Sequence, residues 1–115
     1  MLEDVLDEFL TIDGVSAAAI IGKDGVVIES TSSTPMDVDA IGSMVSTCLG
    51  SSEVIGGTLA LGELHDMTVE LDKGPVYLAP ITCNEIIAVI ADTTGTVGHV
   101  RSELQKNRSR LVAAL

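Results

Sequence analysis

The sequence predicts an α+β domain: a five-stranded antiparallel sheet flanked by helices, in the order α-β-β-α-β-β-β-α. Three observations predict it. Short stretches that alternate apolar and polar residues, or are apolar throughout, are joined by turns too short for anything but antiparallel neighbours. Three other stretches repeat apolar residues every three or four positions, the helical period. The two kinds are interleaved, and sheets and helices with one apolar face each must bury those faces against one another.

Leu2, Val5, Leu6, Phe9 and Leu10 form the first apolar stripe, with Glu3, Asp4, Asp7 and Glu8 on the opposite face and at the end where a helix favours acids. Asp13-Gly14 is read as its end. Val15–Ile21 is a small-residue buried strand whose Ala17-Ala18-Ala19 leaves room for close packing of a helix. Gly22-Lys23-Asp24-Gly25 is a hairpin turn and residues 26–30 the return strand.

Thr34-Pro35-Met36-Asp37 resembles a capped helix start with proline at the first helical position. The second helix is expected to run to about Ile55, where Gly56-Gly57 breaks it. Val38, Ile41, Val45, Cys48, Ser52 and Ile55 fall three and four apart, and the remaining face is small and uncharged: Gly42, Ser43, Ser46, Thr47, Gly50, Ser51. After Asp39 only Glu53 is ionisable. A solvated helix normally carries charge, so this face is expected to be covered, by a second subunit or by the rest of the monomer.

Residues 64–72 alternate, with Met67, Val69 and Leu71 on one side and Thr68, Glu70 and Asp72 on the other: a half-buried strand. Asp72-Lys73-Gly74-Pro75 turns the chain into a strand over residues 76–82, where Pro80 suggests an edge or irregular position. Ile86–Ala91 is apolar throughout and reads as the central strand. Val97, Val100, Leu104, Leu111 and Val112 mark the last helix. One domain over residues 1–115 accounts for all of this, without repeats or linkers.

Composition narrows the function. Of 17 acids all but Glu103 precede residue 96, while four of the six bases (Arg101, Lys106, Arg108, Arg110) follow it, and the net charge is −11. Nucleic acid and anionic membranes need clustered bases, so neither is the expected partner. The basic last helix is either a solvated face or meets an acidic surface, its own or a partner's. With no Trp, one Tyr and one Phe, a site built on aromatic stacking is not expected. Cys48 and Cys83 both read as small core hydrophobes rather than a disulfide framework. No apolar run approaches the roughly 20 residues of a membrane span, and the acidic first turn is unlike a signal peptide, so a cytoplasmic protein is expected.

No catalytic constellation emerges. His65 and His99 have no metal-ligand spacing with the cysteines and read as surface residues. Gly22-Lys23 lacks the rest of a phosphate loop, and Gly95-Thr96-Val97-Gly98 is an ordinary helix start. Neither a catalytic residue, a cofactor nor a metal is assigned.

Ordered matches then accumulate: Ile12-Asp13-Gly14-Val15 into Ala18-Ala19-Ile20-Ile21, Lys23 to Ile28, Met67 to Gly74, and Ile87 to Asp92 followed by Gly98-His99-Val100-Arg101. Across nearly its whole length the chain resembles the roadblock/LC7 family, which includes dynein light chains, Ragulator-type subunits and bacterial and archaeal regulators of small Ras-like GTPases. The Gly- and Ser-rich second helix departs from the family, where Ala and charged residues are more usual. The resemblance implies a profilin-like sandwich and a homodimer in which second helices pack together and third strands pair. It places Ile41, Val45, Cys48, Ser52 and Ile55, with Thr68 and Glu70 on the strand, at the dimer interface. It also implies a non-catalytic adaptor that binds and modulates a small Ras-like GTPase. Its rivals are a structural subunit of a motor-like or scaffold complex, possibly heterodimeric, and a small-ligand sensor, against which the shortage of aromatic and convergent polar residues counts.

Overall fold

A computed structural model describes residues 1–115. The elements are α1 (Leu2–Phe9), β1 (Val15–Gly22), β2 (Val27–Ser32), α2 (Val38–Thr58), β3 (Met67–Leu71), β4 (Gly74–Pro80), β5 (Glu85–Ala91), a single 3-10 turn (Thr94–Thr96) and α3 (Val97–Ala114). The strands form one antiparallel sheet in the order β2-β1-β5-β4-β3, with the wholly apolar β5 at its centre.

Side chains alternate across a strand, so one apolar run supplies two cores. Ala18, Ile20, Tyr77, Ala79, Ile87 and Val89 meet α1 and α3 on one face of the sheet. Ala19, Ile21, Leu78, Ile86 and Ala88 meet Val45 and Leu49 of α2 on the other. The alanines of β1 serve both faces, and the result is three layers: two helices, the sheet, one helix.

Several boundaries differ from expectation for identifiable reasons. The cap of α2 is Asp37, whose carboxylate accepts the Ala40 N–H at 3.2 Å, and Pro35 and Met36 lie outside the helix. Gly56-Gly57 does not break α2. The helix runs to Thr58 and closes in a Schellman turn, where Leu61 N–H donates to Gly56 O and Ala60 N–H to Gly57 O. Ala60 holds the left-handed position, φ 54°, that glycine usually takes. At the other end, α1 stops at Phe9, and Gly14, φ 91°, turns the chain into β1.

Pro80 does not mark an edge. It is the last residue of β4, an interior strand, where the ladder has no further use for its missing N–H. Cys83 is not a core residue: it is exposed in the β4–β5 turn, while Cys48 is half-buried beneath α2. In α3 the inward stripe is Val97, Val100, Leu104, Asn107 and Leu111, and Val112 faces solvent. Asn107 is tolerated there because its amide donates to Glu103 O and its carbonyl accepts from Arg110.

Candidate interaction surface

A single helix covers the second face of the sheet, so α2 has an outer side with no intramolecular partner. Ala40, Met44, Thr47, Ser51, Val54 and Thr58 recur at alternating spacings of four and three along that side, and all are exposed. None is ionisable. Met44 is 62% exposed, Val54 66% and Ile55 57%, and Leu59 and Leu61 extend the apolar surface past the helix end. A solvent-facing helix with a heptad-spaced, uncharged stripe is the pattern of a helix that packs on another helix.

The residues singled out from sequence divide between the two sides of α2. Val45 is 6% exposed and packs on the sheet. Ile41 and Cys48 are half-buried against the same cluster. Ser52 is half-buried, donating to Cys48 O, and lies 3.4 Å from Met67 Sδ. Only Ile55 of this group stands on the open side. Both stripes of α2 are apolar or small, so periodicity finds two candidates and cannot say which one the sheet takes. The open stripe had a signal in the sequence, its lack of charge, but not its facing.

Thr68 and Glu70 lie on β3, the last strand of the sheet, opposite Tyr77 and Pro75 of β4. The outer main-chain edge of β3 has no strand beside it. Met67 joins the cluster beneath α2, so Val69 and Leu71, two and four residues on, point to the same side; Leu71 is 61% exposed. The open face of α2 and a partly apolar strand with one free edge therefore share one side of the molecule.

The basic helix α3 turns its arginines onto its own domain. Arg110 donates to both carboxylate oxygens of Glu8. Arg108 donates to Pro80 O at 2.9 Å and Ile81 O at 3.1 Å. Arg101 Nε donates to Asp66 Oδ2 at 2.6 Å, and the guanidinium carbon lies 5.9 Å from the centre of the Tyr77 ring. Hydrogen bonding to Arg110 holds the Glu8 carboxyl below its ordinary range, and the same contact raises the Arg110 guanidinium. Burial, and then the adjacent Asp66, pushes the Tyr77 phenol up to about 12.

A cleft of about 990 Å³ opens between the end of α2 and the β4–β5 turn, with Lys23, Glu53, His65 and Arg108 among its walls. Its cations are already engaged: Lys23 pairs with Glu53 at 3.1 Å and Arg108 with the Pro80 and Ile81 carbonyls. No group of three or more His, Cys, Asp or Glu is placed to hold a metal ion, and no helix is long and apolar enough to cross a membrane.

The Roadblock/LC7 domain family model matches residues 1–91. An uncharacterized protein of Methanocaldococcus jannaschii is 27% identical over 114 residues, covering 98% of this chain and 95% of its own. Among solved structures, Myxococcus xanthus MglB superposes with a TM-score of 0.86 at 18% identity, over 99% of this chain and 96% of that one. An MglB with a tetrameric arrangement superposes with a TM-score of 0.84 at 16% identity, over 96% and 84%. At these identities the structural matches establish the fold, a five-stranded antiparallel sandwich in the same element order.

Proposed function

Because this chain belongs to the Roadblock/LC7 family, we propose that it is a homodimeric, non-catalytic adaptor that binds and modulates a small Ras-like GTPase. The carrying observation is the uncharged open face of α2. Met44, Thr47, Ser51 and Val54 are exposed at heptad spacing on a chain of net charge −11, and water is a poor environment for that stripe. A second copy, its α2 antiparallel to the first, covers it with a matching stripe. Pairing of β3 with its two-fold mate then closes the one sheet edge on that side. The proposed interface is Met44, Thr47, Ser51, Val54 and Ile55, with β3 from Thr68 to Leu71, in place of the inward Ile41, Val45, Cys48 and Ser52. The tetrameric arrangement of one MglB supports self-association as a habit of this fold.

The action on the GTPase is positional. Arg101, Arg108 and Arg110 are all held by groups of their own domain, so none is offered in trans to a transferring phosphoryl group. The adaptor instead holds its partner's mobile segments in one arrangement. The whole of residues 1–115 acts as one domain, in the cytoplasm where its GTPase resides and both thiols stay reduced.

The test has two steps. Sedimentation of the wild-type chain and of Val54→Glu at micromolar concentration should give a dimer and a monomer. The dimer is then mixed with the source organism's small GTPases, loaded with GDP or a GTP analogue, and co-elution and GTP hydrolysis are measured. A monomeric wild type, or a dimer that retains no GTPase in either nucleotide state, rejects the reading.

A further inference from the structure

Asp66, the residue immediately before β3, accepts two hydrogen bonds on one oxygen: from Arg101 Nε at 2.6 Å and from the Tyr77 hydroxyl at 3.1 Å. Three elements meet there: α3 supplies Arg101, β4 supplies Tyr77, and Asp66 ends the longest irregular segment of the chain, between α2 and β3. Tyr77 is 2% exposed, so the hydroxyl end of this contact is fixed by the core. The guanidinium lies 5.9 Å from the ring centre, close enough for a cation–π contact as well as the ion pair.

The position of this clamp matters because β3 has little else to order it. It is five residues long, its main-chain partner is β4 alone, and its outer edge is free. The β3–β4 turn fixes its far end through the Leu71–Gly74 pair. At its near end, Leu64 and Met67 are only partly buried in the α2-side cluster, and Asp66 carries the remaining attachment. An edge strand fixed at one end frays from the other, and a frayed strand must be ordered before a partner can add to it.

We propose that Arg101 and Tyr77 are positioning residues for self-association: by clamping Asp66 they fix where β3 begins and hold its free edge straight enough to receive the β3 of a second copy. This rests on the dimer reading above. The clamp does not touch the second copy; it acts through the order of the strand.

Hydrogen–deuterium exchange separates the two ideas. In the monomeric Val54→Glu background, Arg101→Gln is expected to speed exchange at Thr68–Leu71 by about tenfold, as loss of a charge-assisted bond implies, with β1 and β5 unchanged. Tyr77→Phe should act in the same direction, and Arg101→Lys, which keeps the charge without the planar fork, should restore part of the protection. In the otherwise wild-type chain, Arg101→Gln should weaken the dimer by about tenfold for the same reason. Unchanged exchange in β3, or equal acceleration in every strand, overturns the proposal while leaving the dimer intact. A wild-type chain that sediments as a monomer overturns the dimer reading, and the self-association role with it.

Discussion

Arg110 of α3 grips Glu8 of α1 with both terminal guanidinium nitrogens, Nη1 to Oε2 at 2.7 Å and Nη2 to Oε1 at 3.1 Å. The two residues come from opposite ends of the chain, so the pair joins the first helix to the last. Of the four bases of α3, Arg101 and Arg110 meet acids of their own domain, Arg108 meets main-chain carbonyls and Lys106 is exposed. The pair lowers the Glu8 pKa from its ordinary 4.5, so its contribution to stability is full above that pH and is lost as pH falls through the lowered value. The melting temperature of Arg110→Ala should therefore lie below wild type at pH 7, and the gap should shrink in scans at pH 3. An equal gap at both pH values would show that Arg110 acts through packing and its hydrogen bond to Asn107, not through the Glu8 charge.

Tyr77 gives the opposite dependence. Its folded pKa is raised from 10.0 to about 12, so the folded protein keeps a proton the unfolded chain releases. Stability should fall as pH rises from 10 towards 12. With one tyrosine and no tryptophan, phenolate absorbance reports this group alone. In Tyr77→Phe that part of the alkaline loss should vanish, which urea titrations at pH 9 and pH 11 would read.

Two valines on one helix separate folding from assembly. Val45 is 6% exposed, and Val45→Glu buries a charge at about 4 kcal/mol or more, enough to unfold much of the population. Val54 is 66% exposed, and Val54→Glu should leave the circular dichroism and melting of the monomer intact while abolishing the dimer. If Val54→Glu sediments as a dimer, the seam has been drawn on the wrong side.

The glycines of α2 should respond with opposite signs. A Cβ on Gly42 would collide with the carbonyl of Gly25, where the β1–β2 turn crosses the helix, and Gly42→Ala is expected to destabilise by roughly 1–3 kcal/mol. A Cβ on Gly50 meets nothing within 4 Å. Gly50→Ala should stabilise the isolated domain by about 0.5–1 kcal/mol. Urea midpoints at low protein concentration compare the two.

Ala60 sits at φ 54° in the Schellman turn. Relief of the left-handed strain, about 1–2 kcal/mol, exceeds the extra freedom glycine brings to the unfolded chain, about 0.5–1 kcal/mol. Ala60→Gly should raise the urea midpoint; a lower one would mean the turn is held by something other than backbone geometry.

Much of the fold was legible because local rules and the global packing agree. The alternation at Met67–Leu71, the unbroken apolar run of Ile86–Ala91 and the Asp24-Gly25 turn each specify one backbone state, and their order leaves few ways to build a sheet. Errors fell where the deciding contact is remote. Gly56-Gly57 reads as a helix break, yet the returning chain needs the close approach that a side chain on Gly56 would block: its Cβ would stand 2.5 Å from Gly62 O. Pro80 reads as an edge until the ladder is seen to end on it.

The sequence by itself determined the element order, the family and the shortage of charge along α2, since all of these depend on residue type and spacing along one segment. Only the tertiary structure decided which stripe of α2 faces the sheet, that the arginines of α3 are engaged at home, and that Asp66, Tyr77 and Arg101 meet. Those depend on how segments tens of residues apart are brought together, and spacing within a segment carries no record of which neighbour it will be packed against.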